Sequence, residues 1–176
     1  MTPDRLVVLT GGPGGGKTTL LDHLAGLGHA VSPEAGRAII RDQALIGGRL
    51  RDDQVAFAET ILTWEMRSYR AALALPGPVF FDRGVVDVAA SYLLLGLPVP
   101  PHVEAAVAAF PYRRSVFVAA PWREIYTTDA DRTQSWEEAV RTYDAVVAAY
   151  ECFGYDLVEL PRASVEERAA FVLERV

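Results

Sequence analysis

Residues 11–18 read Gly-Gly-Pro-Gly-Gly-Gly-Lys-Thr, and the fold follows from them. The stretch fits G-x-x-x-x-G-K-[ST], with Gly11, Gly16, Lys17 and Thr18 in the fixed places. A polyphosphate is held by a ring of backbone N–H groups, and a tight ring needs residues without Cβ atoms. Five of the first six residues here are glycine. The loop Gly12, Pro13, Gly14, Gly15, Gly16, Lys17, Thr18 and Thr19 therefore reads as a triphosphate cradle. Lys17 supplies charge to the β- and γ-phosphates, and the Thr18 hydroxyl is a Mg²⁺ ligand.

The flanks agree. Arg5-Leu-Val-Val-Leu-Thr10 has strand character, and Thr19-Leu-Leu-Asp-His-Leu-Ala25 has helix character. Strand, glycine loop and helix together aim a helix N-terminus at an anion. A flexible glycine linker would not be followed by Lys-Thr-Thr and a helix.

Outward from this motif, apolar strands alternate with helical stretches. Strands are expected at 5–10, 29–32, 79–82, 115–119 and 156–160. Helices are expected at 16–26, 34–46, 52–75, 85–95, 102–110, 136–150 and 164–175. This alternation indicates an α/β sandwich: a parallel sheet with helices on both faces. The helix at 52–75 carries Val55, Ala58, Leu62, Met66, Tyr69 and Leu73 at helical spacing, with Trp64 off that stripe. It serves packing, or it also walls a substrate pocket.

At 176 residues the chain fits one domain, 1–176, with a candidate lid at about 121–135. A hydrophobic share of 51% is enough for a substantial core. No run approaches the ~18 apolar residues of a membrane span. The start runs straight into a strand, so no signal peptide is expected, and a cytoplasmic protein is. The single Cys152 excludes an internal disulfide, suits a reducing compartment, and reads as a core or half-buried thiol. Net charge is −6, from 17 basic and 23 acidic residues, which disfavours a general nucleic-acid binder. The three histidines fall in separate elements and show no zinc spacing.

Four groups carry the remaining chemistry. Asp82, at the end of Val79-Phe-Phe-Asp82, points into the crevice where open α/β sheets bind ligands, and is placed to hold Mg²⁺. Arg83 then lies beside phosphate or substrate; the plain alternative is a surface Asp–Arg turn. Asp87, one turn on, is a substrate contact or an acid at a helix N-terminus. Glu34 follows the second strand and is a candidate general base for an attacking hydroxyl. Its alternative is a first-turn acid behind a Ser32 cap with Pro33 at the first helical position. Arg37 is a candidate for a substrate anion. Arg132 and Arg123, in the polar stretch 121–135, are candidates for a closing lid over the γ-phosphate, against an ordinary exposed loop. Ser164 with Glu167 reads as a helix capping box, at the end of a loop that could also cradle a base.

With these pieces in order, the sequence resembles the small P-loop ATPase/kinase family called the AAA-28 domain family. That family includes relatives of the ribosylnicotinamide kinase domain of bacterial NAD regulators. The carriers are residues 10–19, Pro33-Glu-Ala35 with Arg37, Phe81-Asp-Arg-Gly84 with Asp87, and Pro121-Trp-Arg-Glu-Ile-Tyr126 with Asp129 and Arg132. The tail, Tyr150 with Gly154-Tyr155 and Leu160-Pro161, is similar as well.

The resemblance implies a nucleoside-kinase-like core with five parallel strands ordered 2-3-1-4-5, and not a ring-forming machine. It implies that Asp82-Arg83 matches the acidic-Arg pair of nucleoside and nucleotide kinases, and that Glu34 matches their base position. The resulting expectation is Mg²⁺-assisted transfer from ATP, or GTP, to a hydroxyl of a nucleoside-like molecule, another metabolite or an antibiotic. Lys17, Glu34, Asp82 and Arg132 are its catalytic set, and Arg37, Arg83, Asp87 and Arg123 contact the acceptor. The alternative is a slow NTPase switch that binds a partner or lipid. The acceptor's identity and the oligomeric state are open at this stage.

Overall fold

The computed structural model describes residues 3–126 and 135–176. Five strands form one parallel sheet: β1 Leu6–Gly11, β2 Ala30–Ser32, β3 Val79–Asp82, β4 Ser115–Ala119 and β5 Asp156–Glu159. Their spatial order is β2-β3-β1-β4-β5, the expected one. The register pairs Leu9 with Asp82 and Gly11 with Ala119, so the loop after β1 and the acid ending β3 emerge at the same sheet edge.

The helices are α1 Lys17–Gly26, α2 Ala35–Leu45, α3 Gln54–Ala72, α4 Val85–Leu94, α5 Pro101–Ala109, α6 Trp136–Cys152 and α7 Val165–Leu173. The central strand shows why helices must cover both faces. Leu6 and Val8 point into one core with α3, α4, α5 and α6, while Val7 and Leu9 point into the other with α1 and α7. Every residue of β1 is buried, as a strand covered on two sides requires.

Local signals end the elements. The Asp53 carboxylate accepts from Ala56 N at 3.0 Å and starts α3. Ser164 and Glu167 form the expected capping box on α7, and Ser135 with Glu138 forms a second on α6. Each such cap is worth about 1 kcal/mol.

Several expectations are corrected. The cap of α2 is Glu34; Ser32 belongs to β2. Val55 is exposed, and the face that α3 buries is Ala58, Leu62, Glu65, Tyr69 and Ala72. Cys152 is exposed rather than a core thiol, because the core face of α6 is carried by Ala139, Val146, Ala149 and Tyr150.

Candidate active site

The loop after β1 reaches α1 through two left-handed glycines, Gly14 at φ 79° and Gly16 at φ 72°. Gly15 is required for a different reason. A Cβ there would stand 2.7 Å from Ala119 Cβ and 3.0 Å from Ala120 O, so the loop lies directly on the end of β4. Lys17 is buried, and its Nζ donates to Gly12 O at 2.8 Å and Gly11 O at 3.2 Å. Burial, and then the charge of Arg83, lower its pKa from 10.5 to about 8. The carboxylates of Asp82, Glu34 and Asp87 oppose that shift. Thr18 and Thr19 are exposed in the first turn of α1.

Across the cleft, a charged cluster joins three elements. Arg83 is the one non-glycine residue at positive φ among those described, at 74°. A side chain held there costs roughly 1–2 kcal/mol, and such strain gathers at functional sites. Its backbone N donates to Leu9 O at 3.0 Å, which ties the turn to β1. Its guanidinium reaches Glu34 Oε1 at 3.4 Å and Asp87 Oδ1 at 3.2 Å. Glu34 in turn holds Arg37 Nε at 3.0 Å. Burial pushes the Glu34 carboxyl up, but Arg83, Lys17 and Arg37 pull it down further, so its pKa lies below the usual value.

Asp87 is the hub of this cluster. One carboxylate oxygen accepts from Thr10 Oγ1 and Arg83 Nη1, and the other from Gly84 N at 2.9 Å and Tyr150 Oη at 2.7 Å. The helix-terminal half of its two sequence readings is thus present, since the bond to Gly84 N starts α4. Asp87 also lines the cleft.

Asp82 is buried at the end of β3, and its Oδ1 has no hydrogen-bond partner among the described residues. Burial raises its pKa, with Lys17 acting against that shift. A buried carboxylate oxygen without a donor suits a cation or its water shell. Among the described residues no group of three His, Cys, Asp or Glu side chains is arranged to cage a metal. One carboxylate and the Thr18 hydroxyl therefore fit Mg²⁺, which keeps waters and takes phosphate oxygens rather than an all-protein shell.

Lys17, Thr18, Glu34, Arg37, Arg83 and Asp87 line a cleft of about 920 Å³. One end is lined by residues 13–19 with Trp122, Ile125, Ala163, Val165 and Arg168. The other end is lined by Glu34, Arg37, Phe57, Ile61, Glu65, Arg83, Asp87, Ser91 and Leu94. Helix α3 thus does wall the cleft.

Arg123 does not line the cleft; it is exposed, with its guanidinium 5.0 Å from the centre of the Trp136 ring. Arg132 and Asp129 lie outside the described residues, as does most of the stretch read as a lid. The described start of that stretch touches the loop, for a Cβ on Gly14 would run into the Tyr126 ring.

Two cleft residues carried no sequence signal. Arg168 is buried on α7 and donates to Gly15 O at 2.8 Å and Gly16 O at 3.4 Å. Holding those carbonyls outward leaves the loop's N–H groups free for an anion. In sequence, Glu166-Glu167-Arg168 reads as a solvated helix surface. Glu65 is buried in the apolar face of α3, where a helical stripe would place a hydrocarbon side chain.

A family model described as AAA domain, AAA_28, matches residues 6–168, and the chain belongs to that family. No curated protein matches the sequence. Among solved structures, NadR protein in complex with NR superposes with a TM-score of 0.76 at 16% identity, covering 97% of this chain and 50% of that one. NadR in complex with NAD and AMP-PNP gives 0.70 at 18% identity, covering 97% of this chain and 49% of that one. Thymidylate kinase from Ehrlichia chaffeensis gives 0.61 at 14% identity, with 96% and 97% covered. The chain thus has a P-loop kinase-like fold, and it spans about half the length of the NadR chains.

Proposed function

We infer that the protein is a phosphotransferase that moves the γ-phosphoryl group of ATP to a hydroxyl of a small molecule. The observation that carries this reading is the two-ended cleft. A glycine loop with a buried lysine lies at one end, and a carboxylate-arginine cluster lies at the other, close enough that Arg83, Asp82, Glu34 and Asp87 all act on the Lys17 charge. The NadR and thymidylate kinase likenesses support it at the level of the fold.

In this reading the amides of residues 12–19 hold the phosphates, with Lys17 on the β- and γ-oxygens. Thr18 and Asp82 would hold Mg²⁺, whose chemistry there is to neutralise charge on the phosphates. Acceptor oxygen attacks the γ-phosphorus, the bond from that phosphorus to the β–γ bridging oxygen breaks, and ADP leaves. Glu34 takes the hydroxyl proton. Its low pKa is compatible with the role, because a loose transition state needs the attacking oxygen oriented more than deprotonated. Arg83 and Arg37 fix Glu34 and sit beside the acceptor, and Arg132 offsets charge on the transferred group. The test is phosphoryl transfer in Lys17→Ala and Asp82→Asn. Both should stay folded and lose most turnover, and retained turnover in both would overturn the assignment.

A further inference from the structure

The acceptor end of the cleft holds a buried carboxyl that none of these roles uses. Glu65 is only 2% exposed. It stands on α3 in line with Ala58, Leu62, Tyr69 and Ala72, all of which pack into the core. A carboxyl in such a stripe is normally paired. Here no described residue donates a hydrogen bond or ion pair to it. The little surface it keeps lies on the cleft wall, with Phe57 and Ile61 on its own helix and Ser91 and Leu94 opposite on α4.

Burial, and then the carboxylates of Asp87 and Asp82, hold its acid well above the ordinary range, with Arg83 acting in the other direction. A protonated carboxyl presents one O–H donor beside one C=O acceptor in a single plane. Its shape complement is any flat edge with an acceptor beside a donor, such as an amide, a lactam or an aminopyrimidine. The apolar side chains of Phe57, Ile61 and Leu94 suit the faces of a ring.

Resting on the kinase reading for the placing of the acceptor, we propose that Glu65 is the specificity-determining residue of the acceptor pocket. As a neutral acid it pairs with the donor–acceptor edge of a flat, uncharged heterocycle carried by a hydroxylated acceptor. The pocket on this account selects nucleoside-like molecules over open-chain polyols. Glutamine is the isostere of that neutral acid, so Glu65→Gln should keep the function and Glu65→Leu should lose it.

The experiment is calorimetric titration of adenosine, cytidine, uridine and inosine into protein saturated with AMP-PNP and Mg²⁺, which blocks the nucleotide end. At least one nucleoside should bind. Its affinity should stay within about threefold in Glu65→Gln and fall about tenfold to a hundredfold in Glu65→Leu, the range for leaving one buried polar group unpaired. Methylating the ring nitrogen of that nucleoside should weaken binding to the wild type and to Glu65→Gln, and change little in Glu65→Leu. This cycle separates recognition from a structural role, and circular dichroism with thermal melting checks that both variants fold.

Three results would each overturn the proposal: no binding of any of the four, equal loss in the glutamine and leucine variants, or no effect of methylation on the wild type. Faster transfer by the wild type to a ringless polyol than to any nucleoside would do so too, while leaving the kinase reading intact. Nucleoside binding that depends on Glu65 without any phosphoryl transfer would leave this inference standing and remove the kinase.

Discussion

Removing the Asp87 carboxylate should be among the most damaging single changes outside the hydrocarbon core. In Asp87→Ala, the Tyr150 hydroxyl and the Gly84 N–H lose a buried acceptor, the Thr10 hydroxyl must find another, and Arg83 keeps only Glu34. Each orphaned buried donor costs about 1–3 kcal/mol. The cleft admits water to some of them, so the low end applies to each. The total is then about 3–5 kcal/mol, which is also the range for breaking a buried charge pair. For a chain of this size that is a fall in melting temperature of about 6–20 °C.

Tyr150→Phe is the matched control. It removes one donor and leaves Asp87 with three, so it should cost about 1 kcal/mol and about 2–4 °C. Differential scanning calorimetry of the three proteins measures both. A melting temperature for Asp87→Ala within about 3 °C of wild type would refute the hub. So would a Tyr150→Phe variant as unstable as Asp87→Ala.

The depressed pKa of Lys17 has a definite sign in stability. Between pH 8 and 10.5 the unfolded chain keeps the lysine proton that the folded chain has released, so this group adds stability as pH rises through that window. The rise is ~3 kcal/mol, from 1.36 kcal/mol per unit; in urea titrations it should be absent from Lys17→Met and so appear as a growing stability difference between wild type and that variant. Nucleotide affinity should run the other way and weaken above about pH 8, as the ammonium that meets the phosphates is lost. Gly15→Ala should leave the sheet folded but move the loop off Ala119, with ATP affinity falling at least tenfold by calorimetry. Asp82→Asn should melt no lower than wild type, because burial already disfavours its charge, while Mg²⁺-dependent turnover falls about a hundredfold or more. A lower melting temperature with intact turnover would make Asp82 structural.

The residues that were legible in the sequence act through their neighbours in the chain. Gly14, Gly16, Lys17 and Thr18 need only the strand before them and the helix after them. The strand order followed from the family resemblance. Asp82 and Arg83 were legible as a strand end, although the left-handed backbone of Arg83 has no signature in a non-glycine residue. What stayed hidden depends on distant partners. Arg168 meets the loop across a separation of 153 residues, and Tyr150 meets Asp87 across 63. Glu65 sits at a core position that its residue type argues against, so a hydrophobic stripe passed over it. Arg123 was read as a lid residue because its loop is polar, and its guanidinium lies over the Trp136 ring, a partner that the loop's polarity did not indicate. Cys152 was placed inside because aromatic neighbours suggested a core, but its position on α6 faces outward.

The central claim is group transfer, and the most direct measurement of it follows the γ-phosphoryl itself. The protein is incubated with Mg²⁺ and γ-labelled ATP against nucleosides, hydroxylated metabolites and aminoglycosides, with Lys17→Ala alongside. The account predicts label on an acceptor hydroxyl, dependent on Lys17, with little free phosphate once that acceptor is present. Tight ATP binding with label appearing only as slowly released phosphate, whatever acceptor is added, would contradict it and identify a nucleotide-dependent switch.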